Sequence, residues 1–196
     1  MADAETIMPS SQYDNLRYEN RLPRKQKAAR MLWGIAYALL FRPTPRWAMH
    51  GWRRTLLRLF GATIGPGCKI APSCRVFAPW NLVLGELTAL AEGVDCYCVD
   101  KITIGSMCAV SQRAFLCSAS HDIGTLKRDL TTAPIVLGDH VWVCAEAFVG
   151  PGVTLGDGVV AGARAVVVRD VEPWKVVATT PGVVIKDRVV RDGHDG

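Results

Sequence analysis

The chain has 196 residues, 49% of them apolar and 21% charged, which is enough for one globular domain with its own core. The net charge is +5, and ten of the 23 lysines and arginines lie between residues 21 and 58, where the sequence has no aspartate or glutamate. A basic segment of this kind suits contact with phosphate, an acidic ligand or an anionic membrane surface.

The composition argues against a membrane-spanning protein and against a secreted, disulfide-bonded one. The apolar run Met31–Phe41 has 11 residues, whereas a helix that spans a bilayer needs about 20. The seven cysteines are an odd number without framework spacing, and no signal-peptide cleavage site follows the apolar run. The close pair Cys96 and Cys98 lacks further ligands at metal-site spacing, so we interpret it as core filler. We expect a cytoplasmic protein with reduced thiols.

Residues 1–60 predict a polar tail followed by a basic amphipathic helical cap. Arg24–Phe41 predicts a helix that ends before Pro43, and Trp47–Phe60 predicts a second helix. Their ordinary role would be to cover the open end of a stacked sheet. Basic residues interleaved with leucine and tryptophan over residues 21–58 also suit a helix lying on the inner face of a membrane. The cap and the membrane contact are compatible with each other.

A repeat of six residues runs from Ile64 to about Glu172. Its clearest blocks are LGDHVW, VCAEAF, VGPGVT and LGDGVV, each opened by an aliphatic residue and followed by a small one. A globular helix repeats near 3.6 residues and a strand near 2, so a period of six indicates the hexapeptide pattern of a parallel β-helix. Three short strands and three corners then make one triangular coil, and stacked coils pair their strands in parallel.

The repeat predicts an all-β fold of about five coils over residues 61–175. Equivalent coil openings are separated by 20, 20, 33 and 18 residues, so two corners carry small additions and one carries a long insertion, the corner loop 118–134. The openings are Ile64, Leu84, Ile104, Leu137 and Leu155. Residues 176–196 are expected to form a closing segment and tail.

The long insertion holds the strongest candidate for catalysis, His121 at its root. A neutral imidazole can take the proton of a hydroxyl that becomes a nucleophile. His140 falls at a predicted corner, His50 in the basic segment and His194 in the tail. No histidines have metal-ligand spacing and there is no phosphate loop or dinucleotide fingerprint, so we expect neither a metal nor a nucleic-acid partner.

Three stretches carry a resemblance to a known family: SASHD, LGDHVWVCAEAFVGPGVTLGDGVVAGARAVVVRDV and FRPTPRWAMHGWRRTLLRLFGATIG. They resemble the hexapeptide-repeat O-acetyltransferases, especially the branch of colanic acid and related exopolysaccharide biosynthesis. The resemblance implies a left-handed β-helix and direct transfer of an acetyl group from acetyl-CoA to a sugar hydroxyl. It also implies a homotrimer with the cofactor in the cleft between two prisms.

The resemblance further implies roles for single residues. His121 matches the catalytic base, and Trp142 matches an aromatic residue of the acceptor pocket, with a trimer contact as an equal alternative. Glu146 is a candidate for contacting substrate or orienting a histidine, with a surface carboxylate as the alternative. The positions that match cofactor-binding residues are Ala145, Ala163, Val168, Arg169 and Lys186, with Arg188 close to the last.

The chain departs from the family pattern at the end of its last coil. It has Thr179-Thr180-Pro181-Gly182 where relatives often have a Gly-Asn-Pro-Ala turn, and Val183 stands where several relatives have a basic residue. Both departures fall beside the expected cofactor site.

Three functions remain open at this point. The first is an O-acetyltransferase acting on a sugar of a polysaccharide or its precursor, with a lipid-linked glycan as one form of acceptor. The second keeps the fold and donor but acetylates an amine on a nucleotide sugar. The third is a non-catalytic scaffold, which would not need His121 on a long corner loop.

For the trimer we expect flat contact faces that contain Val141, Val143, Val149 and Val159.

Overall fold

The computed structural model describes residues 23–124, 128–180 and 183–187. The described part begins with helix α1 (Arg24–Ala36), which continues as a π-helical turn (Tyr37–Phe41) and is followed by helix α2 (His50–Leu59). The second helix begins three residues later than predicted, because Met49 has a left-handed backbone with φ 60° that a helix cannot include. No helix in the described part of the chain is long and apolar enough to cross a bilayer.

The rest of the described chain winds into a triangular prism with three sheets, which we number in the order in which each coil visits them. Neighbouring coils pair in parallel in all three. Sheet 1 contains β1 (Thr63–Ile64), β4 (Leu82–Leu84), β7 (Ile102–Ile104), β12 (Ile135–Leu137) and β15 (Thr154–Leu155). Sheet 2 contains β2 (Lys69–Ile70), β5 (Ala89–Leu90), β8 (Ala109–Val110), β13 (Trp142–Val143), β16 (Val160–Ala161), β18 (Lys175–Ala178) and the antiparallel β19 (Val183–Asp187). Sheet 3 contains β3 (Arg75–Val76), β6 (Asp95–Tyr97), β9 (Phe115–Cys117), β14 (Phe148–Val149) and β17 (Val166–Val167).

The register of sheet 1 confirms the predicted coil openings. Ile64 pairs with Leu84, and Ile104 pairs with both Leu84 and Leu137, which in turn pairs with Leu155. Five complete coils result, and Val171 with β18 begins a sixth. The left-handed parallel β-helix with an N-terminal helical extension is therefore confirmed.

The interior of the prism is a single apolar column. The coil openings are buried there. Cys68, Cys74 and Cys108 are also buried, each four residues after the aliphatic residue that opens its six-residue block. The prediction that four valines lie on flat contact faces of a trimer is wrong. The side chains of Val141, Val143, Val149 and Val159 are all buried inside the prism, since each occupies an inward position of its coil.

The corner between sheets 1 and 2, which we call the glycine corner, is the most crowded part of the prism. A Cβ added at Gly85 would lie 2.5 Å from the backbone of Gly105 in the next coil. At Gly65 the corresponding distance to Gly85 is 2.6 Å. Real side chains do not approach so closely, so the second position of these coils admits only glycine without rearrangement.

The helical segment covers the open end of the first coil through arginine side chains. Arg53 is fully buried and donates to the carbonyl oxygen of Ile70 at 2.6 Å. Arg54 donates to Cys68 O at 2.8 Å, and Arg58 donates to Ile64 O at 2.6 Å. These carbonyls belong to the first coil, which has no coil beneath it, so the guanidinium groups satisfy backbone acceptors at an exposed sheet end.

Candidate active site

The long insertion leaves the corner between sheets 3 and 1, which we call the variable corner, as an antiparallel hairpin. Its strands are β10 (Ala119–His121) and β11 (Leu130–Thr132), with His121 paired opposite Leu130. Ser118 holds the root of the hairpin, because its buried hydroxyl donates to Tyr97 O at 2.9 Å and accepts the Asp100 N–H at 2.9 Å. The part of the loop at residues 125–127 lies outside the described residues.

His121 is exposed at the end of β10, and a hydrogen bond orients its ring. Nδ1 lies 2.7 Å from the carbonyl oxygen of Arg128 on the other side of the hairpin. A carbonyl can only accept, so Nδ1 carries the hydrogen, and in the neutral ring Nε2 then holds the lone pair. The hairpin thus assigns the atom that could act as a base.

A pocket that the sequence did not reveal lies between α1 and sheet 3. It encloses about 390 Å³, and its lining includes Arg30, Tyr37, Asp95 and Tyr97. Tyr97 pairs with Cys117 at the end of β9, and its carbonyl accepts the Ser118 hydroxyl. The pocket therefore lies on the first and second coils, and the hairpin that carries His121 leaves the adjacent third coil at the same corner.

The pocket combines aromatic faces with fixed charges. The Arg30 guanidinium lies 3.7 Å above the ring of Phe77, whose centroid is 4.6 Å from that of Tyr97. Burial raises the pKa of Asp95, and the nearby Arg75 acts in the opposite direction. Aromatic platforms next to a carboxylate and guanidinium groups suit a ligand with both apolar faces and hydroxyl groups.

A second group of predicted residues lies on sheet 2 and on the corner between sheets 2 and 3. Trp142 is outward-facing on β13, 47% exposed, and its Nε1–H donates to Ser111 Oγ at 3.0 Å. Ala145 is half-buried and Ala163 is exposed, one coil apart at the corner. The Ala145 carbonyl accepts the backbone N–H of Arg164 at 2.9 Å.

Glu146, in the same group, binds two arginines from the neighbouring coils. Its Oε2 accepts from Arg164 at 2.6 Å, and its Oε1 accepts from Arg113. Hydrogen bonds from these arginines, Arg164 first, hold the pKa of Glu146 below its usual range. Both carboxylate oxygens are thus engaged at the corner between sheets 2 and 3, whereas His121 projects from the variable corner.

The remaining predicted residues are distributed over both regions. Val168 and Arg169 are exposed at the variable corner of the fifth coil, directly after β17. Lys186 is exposed on β19, where it pairs with Val176 of β18. Thr179 and Thr180 form a turn after β18. Three residues named in the sequence analysis, Arg188, Pro181 and Gly182, lie outside the described residues, and so does His194.

One chain therefore does not bring all the predicted residues together. His121, Val168 and Arg169 lie at the variable corner. Ala145, Glu146 and Ala163 lie at the opposite edge of sheet 3, and Trp142 and Lys186 lie on sheet 2. Among the described residues, no cluster of three or more His, Cys, Asp or Glu side chains could hold a metal ion.

Comparison with known proteins identifies the family. The Escherichia coli (strain K12) protein WcaF, assigned to acetylation in colanic acid biosynthesis, is 40% identical over 158 residues, 81% of this chain and 86% of WcaF. The galactoside O-acetyltransferase of the same strain is 30% identical over 145 residues, 72% of this chain and 71% of that enzyme. The chain belongs to the hexapeptide-repeat acetyltransferases. No family model matches the sequence.

The fold agrees with this assignment. A solved structure of a galactoside acetyltransferase in complex with coenzyme A superposes with a TM-score of 0.80, covering 96% of this chain and 95% of that one at 23% identity. The predicted family and enzyme class, an acyltransferase, are confirmed. Family membership favours the enzymatic interpretations over the non-catalytic scaffold.

Sequence reasoning missed the pocket and the role of Ser118. The hexapeptide pattern identifies inward residues and treats outward ones as interchangeable. One signal was present: Phe77, Tyr97, Phe115 and Phe148 are outward aromatic residues on sheet 3, and their rings contact one another in sequence. A row of aromatic side chains on one outer face of a prism indicates a covered or ligand-binding face.

Proposed function

We propose that this protein transfers an acetyl group from acetyl-CoA to a sugar hydroxyl of a polysaccharide or its precursor, including lipid-linked glycans. The observation that carries the proposal is the oriented His121 on a hairpin whose root, Ser118, bonds to the Tyr97 carbonyl of an aromatic, charged pocket. The relatives WcaF and galactoside O-acetyltransferase support the class of acceptor, and the neighbour with bound coenzyme A supports the donor. The site of action is the cytoplasm, where acetyl-CoA is available.

His121 acts as the general base in a direct transfer. Nε2 takes the proton as the acceptor oxygen attacks the acetyl carbonyl carbon, and the carbon–sulfur bond then breaks. The leaving thiolate recovers the proton from the imidazolium. The Arg128 carbonyl keeps Nδ1 protonated throughout, so the ring cannot present the wrong nitrogen to the acceptor.

The pocket at α1 and sheet 3 binds the acceptor. A sugar ring presents apolar faces that stack on aromatic side chains and hydroxyl groups that hydrogen-bond to charged ones. Tyr97 supplies an aromatic face, and Asp95, Arg75 and Arg30 supply the polar partners. The reactive hydroxyl would leave the pocket toward the hairpin, because the root of the hairpin at Ser118 is hydrogen-bonded to the Tyr97 carbonyl.

The active site is shared between subunits of a homotrimer. In a ring with head-to-tail contacts, different surfaces of neighbouring subunits meet. The variable corner of one prism can then face sheet 2 of the next and unite His121 with Trp142. The small residues Ala145 and Ala163 leave space for the pantetheine arm, with Val168, Arg169 and Lys186 along it. Glu146 contributes by holding Arg113 and Arg164 toward this cleft.

The base is tested by His121→Ala in the purified full chain. We expect kcat to fall by roughly 10²–10⁴ with acetyl-CoA binding and trimer mass unchanged, as for a lost general base. The matched control is His140→Asn at the glycine corner, where asparagine accepts the left-handed backbone of φ 58°. Retention of more than about a tenth of wild-type kcat by His121→Ala would contradict the assignment.

The shared site is tested by mixing two inactive variants. His121→Ala and a Trp142→Ala variant are unfolded together, refolded as mixed trimers and assayed. If each site takes His121 from one subunit and Trp142 from the next, about a quarter of the sites regain both residues. If trimers of confirmed mixed composition regain no activity, the whole site lies within one chain.

A further inference from the structure

The outer side of helix α1 is an unpartnered apolar stripe. Its members recur at the spacing of one helix face and are exposed, with Met31 64% and Leu39 68% exposed. They are Ala28, Met31, Leu32, Ile35 and Leu39. The opposite side of the helix packs on the prism, where Trp33 is buried and donates its Nε1–H to Val76 O at 2.7 Å. The helix is therefore apolar on two sides, and the prism covers only one of them.

Cations stand at both ends of the stripe. Arg24 and Lys25 are exposed on the first turn, and Arg42 is exposed directly after the π-helical turn. Trp47, in the segment that follows, is 85% exposed, which is the largest exposed fraction among the tryptophans of the chain. No aspartate or glutamate occurs between residues 21 and 58. An apolar stripe bounded by cations and tryptophan suits the boundary between lipid headgroups and acyl chains.

The structure also separates this surface from the cations of the cap. Arg53, Arg54 and Arg58 donate to carbonyls of the first coil, so they stabilise the prism end. Arg30 stacks on Phe77 in the pocket. Arg46 forms an ion pair with Glu92 of the prism at 3.1 Å. None of these contacts involves Arg24, Lys25 or Arg42, which are exposed beside the stripe.

We propose that α1 and the segment through Trp47 bind an anionic lipid surface, with the helix axis parallel to the membrane. A second copy of this chain is a poorer occupant, because a net charge of +5 and a segment without carboxylates would bring like charges together. An anionic bilayer supplies both the apolar layer and the opposite charge. This inference does not depend on the acetyl transfer, although a lipid-linked acceptor would gain from it.

The test is flotation of the full chain with vesicles of phosphatidylcholine alone or containing phosphatidylglycerol, without acetyl-CoA or acceptor. We expect binding only to the anionic vesicles at low salt, with loss at high salt through screening. The double variant Leu32→Gln/Leu39→Gln should bind about tenfold less. The matched control is Leu87→Gln/Met107→Gln at the glycine corner, whose side chains are 60% and 56% exposed. The control should bind like the wild type.

Brominated acyl chains give a second readout. They should quench part of the tryptophan fluorescence of the wild type, and Trp47→Phe should remove that part. Failure of the wild type to float with anionic vesicles would overturn the proposal, and so would an equal loss in the control. A changed sedimentation mass for Leu32→Gln/Leu39→Gln, with unchanged flotation, would instead assign the stripe to a contact between copies. Failure of acetyl transfer would leave all of these outcomes unaffected.

Discussion

The glycine corner and the variable corner belong to the same prism but follow different rules. At the glycine corner every coil repeats the same backbone path, and Gly65, Gly85 and Gly105 each lie against the next coil with no space for a side chain. At the variable corner the coils carry a 3₁₀ turn at Pro79–Asn81, a bend at residues 99–100 and the hairpin with His121. One corner fixes the stacking of the coils, so the other is free to gain residues and chemistry.

The largest expected effect comes from crowding the glycine corner. Gly85→Ala should destabilise the fold by about 3 kcal/mol, because its Cβ would lie 2.5 Å from backbone atoms that cannot move independently. The matched change at the variable corner is Gly150→Ala, whose nearest contact would be an ordinary 3.4 Å to a side chain. We expect Gly150→Ala to change the free energy of unfolding by no more than about 0.5 kcal/mol. Denaturant unfolding measures both, and equal losses would contradict the difference between the corners.

Two buried hydroxyl groups test whether the variable corner affects catalysis while the glycine corner affects stability alone. Ser118 at the variable corner and Thr88 at the glycine corner both donate to a carbonyl and accept a backbone N–H of a neighbouring coil. Ser118→Ala and Thr88→Val should each cost about 1–2 kcal/mol of stability. Only Ser118→Ala should also lower kcat, by about tenfold, because it releases the root of the hairpin that positions His121. A matching fall in kcat for Thr88→Val would show that stability alone explains the effect.

The pocket beside the variable corner should affect acceptor binding rather than chemistry. Asp95→Asn should raise the acceptor KM about fivefold with little change in kcat, since a neutral amide replaces a charged hydrogen-bond acceptor. Glu172→Gln, an exposed carboxylate of the last turn, is the control for lost charge. Steady-state kinetics with a panel of glycosides separates the two constants. A fall in kcat at constant KM would move Asp95 from the acceptor pocket to the catalytic step.

The smallest expected effect concerns the cap. Burial, followed by the charge of Arg53, lowers the pKa of His50, whose Nδ1 lies 2.9 Å from the Arg53 guanidinium. The folded state therefore binds fewer protons than the unfolded state, and this contribution to stability is lost as the pH falls below the ordinary histidine range. Between pH 7 and pH 5 we expect a fall in Tm of about 2 °C that His50→Gln removes. An identical pH profile in His50→Gln would exclude His50 as its source.

The sequence predicted the features that the six-residue period controls, and it missed features that depend on contacts between segments far apart in the chain. The register of Ile64, Leu84 and Ile104 followed from the repeat, because a parallel coil must place equivalent residues above one another. The start of α2 was misplaced because the left-handed backbone at Met49 has no glycine to signal it. The hairpin strands also escaped prediction, since residues 119–121 and 130–132 show no apolar alternation.

The site was predictable only in part for a similar reason. His121 was found because the insertion interrupts the repeat, and its orientation by the Arg128 carbonyl depends on the hairpin, which the period does not describe. The acceptor pocket joins Arg30 to Asp95 and Tyr97, more than sixty residues further along the chain. No local spacing connects them, because the contact depends on how α1 lies across sheet 3.

The thiols inside the prism make its coils separately observable. Burial raises the pKa of Cys68 and Cys108 and raises that of Cys98 to about 12, so none of the three is a thiolate at neutral pH. They belong to the first, third and second coils, respectively. An alkylating reagent can reach each thiol only when its own coil opens. The order in which the three are labelled would therefore report whether this solenoid unravels from its capped end or opens as one unit.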